Sequence, residues 1–88
     1  MDAAGDQALT RYVCDDARHL VCEPYSVSGL HEMARALGLG RHWFHGGRLA
    51  HYDIPVGRRE EIEARCQRVG RRDIVRIIRG GAAHEATA

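Results

Sequence analysis

Eighty-eight residues are enough for one small hydrophobic core and no more. Apolar residues make up 44% and aromatics only 6%, so aliphatic side chains must supply most of that core, and a formal charge of +1 gives no general pull toward a polyanion. No apolar run approaches the roughly 18 residues of a membrane span, and three cysteines without a CxxC pair argue against a disulfide framework, so a soluble protein of the reducing cytoplasm is expected.

Residues 1–9 are small, polar and aperiodic, and a flexible N-terminus is expected there, as it is for 81–88; one domain is expected over 10–80. "TRYVCD" (10–15) and "HLVCE" (19–23) are β-prone, joined either by a tight turn or as one strand bent near Asp16. Ser26 is a good cap for a helix ending near Leu37. Its apolar stripe is Val27, Leu30, Ala34 and Leu37, broadened by Met33, and Gly38 is the expected left-handed terminator. "GRHWFHGGRLA" (40–50) reads as a loop with one extended turn at 41–44. A second helix is expected from Pro55 to Gly70, with Ile62, Cys66 and Val69 buried. "DIVRIIR" (73–79), apolar on both faces, reads as a final strand beside the first. The expected architecture is a small α/β sandwich of about three strands and two main helices in β-β-α-α-β order.

The segments "YVCDDARHLV", "LHEMARALGLGRHWF" and "HYDIPVGRR", taken together, resemble a family of small bacterial and phage proteins known as a domain of unknown function with a His-Tyr-Asp motif. The resemblance spans about residues 11–79 and rests on the combined spacing rather than on any one piece. It implies a compact α/β domain and no particular activity. Two departures stand out. Cys14 shifts which acid, Asp15 or Asp16, takes the place of the family's aspartate, and Pro55 stands where a threonine or serine is usual.

His51, Tyr52 and Asp53 are the leading candidates for chemistry. His51 would be the acid–base residue, Asp53 its orienter and Tyr52 a hydrogen-bond donor. Strand ends gather on one edge of an α/β domain, so His19 and Asp15 are expected to face them, with His42 and His45 in the tryptophan loop nearby. No cofactor is firmly implied; a divalent metal, if bound, would take His19, His51 and Asp15. Arg58 and Arg59, at the start of the second helix, suit an anion, with Arg41 and Arg48 completing the site and Trp43 walling it. The expected ligand is a phosphorylated or carboxylated small molecule. Two other classes fit the same residues: a nucleic-acid module using the arginines with Trp43 or Phe44 stacked on a base, and a non-enzymatic homodimer or accessory protein. Each candidate also has a plain structural role. Asp53 can cap the second helix, His51 can bond a backbone carbonyl, Arg58 and Arg59 can form a solvated turn, and Trp43 and Phe44 can be core.

Overall fold

The first two strands form because Tyr12, Val13 and Val21 favour extended backbone, and Val13, Leu20 and Val21 are fully buried with Tyr12 partly buried against them. In the computed structural model, which describes residues 10–87 and side chains through residue 81, they are β1 (Arg11–Cys14) and β2 (His19–Glu23). They pair antiparallel, with Val13 opposite Val21 and Cys14 opposite Leu20. The link between them is a tight turn, closed by Arg18 N–H donating to the Asp15 carbonyl at 3.4 Å, with Arg18 left-handed at φ 71°. Residues 1–9, expected to be flexible, lie outside the described residues.

Ser26 then opens α1 (Val27–Leu37), its hydroxyl accepting from the Gly29 amide at 2.9 Å. Gly38 ends it at φ 74°, and Leu39 N–H returns to the Ala34 carbonyl at 2.8 Å. Leu30, Met33, Ala34 and Leu37 are buried, which removes about 1.5–3 kcal/mol of exposure cost for each of the larger side chains. Val27, expected in the same stripe, is exposed.

After a single 3₁₀ turn (Arg41–Trp43), the glycine-rich segment forms a hairpin of β3 (Phe44–His45) and β4 (His51–Asp53). The second expected helix is much shorter than its periodicity implies. A 3₁₀ turn (Val56–Arg58) leads into α2 (Arg59–Glu63), and the chain then becomes strand β5 (Gln67–Arg68). The sheet has five strands in the order β3-β4-β2-β1-β5, antiparallel except for the parallel β1–β5 pair.

The segment 73–79, expected to be the last strand, is instead part of helix α3 (Arg71–Thr87). Ile74 and Ile78 share a strand face and equally share a helix face, because a spacing of four fits both periods. The helix start carries its own signal: the Asp73 carboxylate reaches back to the Gly70 amide at 3.4 Å, as in one half of a capping box. The strand beside β1 is polar and two residues long, so hydrophobic patterning has nothing to detect there. The C-terminal segment, expected to be aperiodic from residue 81, is helical through Thr87.

Alternation along β1 and β2 places the long helices on opposite faces. Tyr12 and Cys22 border a cleft shared with the cap Ser26 and with Met33 of α1, whereas Arg11 and Glu23 border one shared with Arg76 and Ile77 of α3. The result is an α/β domain with a sheet between α1 and α3.

Candidate functional site

β4 lies between β2 and β3, and its register decides which polar groups meet. His19 stands opposite Asp53, and His45 opposite His51. Directly opposed residues share a sheet face, so His19, His45, His51 and Asp53 all project from the same one. Tyr52 projects from the other face, with its partners Leu20 and Phe44. It is 1% exposed, and its hydroxyl is 2.8 Å from Nδ1 of His31 on α1. Tyr52, expected as a donor in the site, is therefore a core residue with a satisfied hydroxyl. His31 is held below the usual imidazole range by burial and by Arg41 and Arg35. Arg41, expected to line the site, thus acts on the opposite face.

His19 is anchored from behind. Its Nδ1–H donates to Asp15 Oδ2 at 2.8 Å, while Asp15 Oδ1 accepts the amides of Ala17 (2.9 Å) and His19 (3.0 Å). Asp15 is wholly buried. Burial alone would raise its pKa, but the hydrogen bonds from the His19 ring and from the two amides outweigh it and hold the carboxyl below its ordinary value. Both Asp15 oxygens already have partners. Asp15, expected to face the site and to bind a metal, instead lies behind His19 and fixes its ring.

His51 is anchored by backbone. Its Nδ1 is 2.7 Å from the Leu49 carbonyl, and since a carbonyl only accepts, Nδ1 carries the proton. Its Nε2 stands 3.3 Å from Asp53 Oδ1, and Asp53 Oδ2 is 2.7 Å from His45 Nε2. The His45 ring stacks on His51 at 5.2 Å, and the His19 ring meets His51 edge-on at 4.9 Å. Asp53 does not cap the following helix: neither the 3₁₀ turn after Pro55 nor α2 has a side-chain cap. One ligating atom from each of His19, His51 and Asp53 lies within 4.8 Å of the other two, and all three residues are partly exposed.

The arginines are differently engaged. Arg58 donates to the carbonyls of Leu37 (2.7 Å) and Gly38 (3.0 Å) at the end of α1, and grips Glu61 through Nε and Nη2. Its pKa is raised, first by the Glu61 hydrogen bond. Arg59 is paired with Glu63 at 2.8 Å and reaches the Asp16 carbonyl at 3.3 Å. Neither extends to the histidine face in these contacts. Arg48 is exposed, and Trp43 is half-buried against the core. A cleft of about 610 Å³ beside α3, lined by Arg11, Glu23, Tyr25 and Arg76 among others, contains none of the four face residues.

The cysteines add no chemistry to this face. None of the three is in a disulfide, and burial pushes the Cys66 thiol up to about 12 and raises Cys14 as well. His45 is the face residue that sequence reasoning left out of the site. Its signal was the Gly46-Gly47 pair between two short extended runs, which marks a hairpin and hence a cross-strand partner for His51.

The face thus combines two imidazoles held at Nδ1, those of His19 and His51, with a carboxylate that is free of capping duty. Such a set can hold a ligand oxygen, exchange protons with it or hold a cation. No curated protein and no solved structure matches the chain. A family described as Protein of unknown function (DUF4031) matches residues 6–81, and the chain belongs to that family.

Proposed function

We propose that the face formed by His19, His45, His51 and Asp53 binds a small anionic molecule bearing phosphate or carboxylate, and that its imidazoles perform acid–base work there. The observation that carries this reading is the anchoring of two rings. Nδ1 of His19 is tied to Asp15 and Nδ1 of His51 to the Leu49 carbonyl, which leaves Nε2 of both without a hydrogen bond among the described residues, with that of His51 3.3 Å from Asp53 Oδ1. Anchoring of this kind reduces the ordering cost of binding, because the rings are already oriented. Arg58 and Arg59 are not assigned to recognition, since their guanidinium groups hold α1, Glu61 and Glu63.

The test is a titration of the protein as purified with inorganic phosphate, following imidazole resonances by NMR. Saturable shifts at the His19 and His51 rings, lost in His51→Ala, are expected. Shifts confined to Arg58 and Arg59, or no saturable response, would remove the reading.

A further inference from the structure

We propose that His19, His51 and Asp53 form a binding site for a divalent transition metal of the zinc class, and that the anion binds as a further ligand on that metal. The inference rests on the reading that this face is the functional centre and adds the cofactor class that would work there; with Nε2 of His19 and His51 given to the metal, those two rings would hold it rather than exchange protons.

Three observations converge. The first is donor type and count: two imidazole nitrogens and one carboxylate oxygen lie within 4.8 Å of one another. Two histidines and a carboxylate are the protein ligands of one class of catalytic zinc site, in which a fourth position stays open for water or substrate. Nitrogen donors disfavour calcium and magnesium, which take oxygen.

The second is tautomer. With Nδ1–H of His51 donated to the Leu49 carbonyl, the neutral ring carries a lone pair on Nε2, and that lone pair faces Asp53 Oδ1 at 3.3 Å. In the neutral ring that contact is repulsive, and either a proton on Nε2 or a cation held between the two atoms relieves it. A separation of this size is also what two ligands of one tetrahedral ion require: bonds of about 2.0–2.2 Å place neighbouring donors roughly 3.3 Å apart. His19 has the same bias, since its Nδ1–H is held by Asp15 and its Nε2 is left as a lone pair.

The third is the outer shell. Metal-binding imidazoles characteristically donate their other N–H to a carboxylate or a backbone carbonyl, and ligating carboxylates are themselves hydrogen-bonded. The two imidazoles have such partners here, Asp15 behind His19 and the Leu49 carbonyl behind His51, and Nε2 of His45 lies at ion-pair distance, 2.7 Å, from the second oxygen of Asp53. His45 and Asp15 are then positioning residues, holding the ligands without contacting the ion.

The experiment uses the untagged full chain, treated with chelator and titrated with Co²⁺ followed by optical absorption, with Zn²⁺ as competitor. One Co²⁺ per chain, with visible bands of four- or five-coordinate geometry displaced by Zn²⁺, is expected. His51→Ala and Asp53→Asn should each weaken binding by 100-fold or more, on the order expected for losing a direct ligand. His45→Ala, which removes the group at ion-pair distance from Asp53, should weaken it by about 10–100-fold. His42→Ala, outside the cluster, should bind as wild type does. Absence of 1:1 Co²⁺ binding by folded wild-type chain, or binding that His51→Ala and Asp53→Asn leave unchanged, would overturn the metal site. A phosphate response that persists in chelator without Co²⁺ binding removes the metal and leaves the anion reading. Co²⁺ binding without any phosphate response does the reverse.

Discussion

The arginine turn at Arg58 and Arg59 and the histidine face at His19 and His51 carry equal promise in the sequence, since both place polar groups at element boundaries. They differ in what the fold leaves over. Arg58 uses its guanidinium on two carbonyls that end α1 and on Glu61, and Arg59 holds Glu63 and the Asp16 carbonyl. Their donors serve the fold, and a cation beside the C-terminal carbonyls of a helix stabilises it. In His19 and His51 the fold hydrogen-bonds Nδ1 and gives Nε2 no hydrogen bond among the described residues. The lesson is that a site residue is marked less by polarity or exposure than by being held at one atom and available at another.

That contrast can be sharpened by removing the groups that hold. The largest effect is expected at Asp15. Asp15→Ala leaves the Ala17 and His19 amides and the His19 ring N–H without their buried acceptor, and should cost about 3 kcal/mol in urea unfolding. The pH dependence has a definite sign. Because the folded carboxyl titrates below the ordinary 3.8, its contribution is fully present above that pH and is lost as pH falls through the lower folded value. The gap between wild type and Asp15→Ala should therefore be constant near neutrality and narrow below pH 3.8.

A smaller effect is expected at the arginine turn. Arg58→Ala frees the Leu37 and Gly38 carbonyls and Glu61, so a fall of a few degrees in Tm should be seen by calorimetry. Phosphate response at the histidine rings should be intact. Loss of that response with Tm unchanged would break the comparison and return recognition to the arginines. The smallest change in stability belongs to His51→Ala, within about 1 kcal/mol, because one exposed hydrogen bond is lost. A much larger loss would class His51 with Arg58 as a structural residue.

Much of the fold was legible because its signals are local. Ser26, the Leu30–Leu37 stripe and Gly38 each act within one helix, and the β-prone runs around Val13 and Val21 bury as their composition implies. What escaped was either ambiguous or tertiary. Ile74 and Ile78 satisfy two periods at once, and Gln67–Arg68 becomes a strand only because β1 offers it an edge. For the site, membership in a family of unknown function conveys no roles, and alternation along β4 did the sorting. It sends Tyr52 inward to His31 and leaves His51 and Asp53 together. Asp15 and Asp53 exchange the roles that spacing gave them: the first orients an imidazole from beneath the surface, and the second stands among the rings.

The ladder between β2 and β4 is only two residue pairs long, extended by the bonds between Arg18 and Ile54. His19 sits on one side of that seam, and His51 and Asp53 on the other. An occupant gripping all three would work as a removable rivet across it, since whatever binds only the joined form favours joining by mass action. Loading the face and fastening the β3–β4 hairpin to the rest of the sheet would then be a single equilibrium, so this small domain would be firmest when it is occupied.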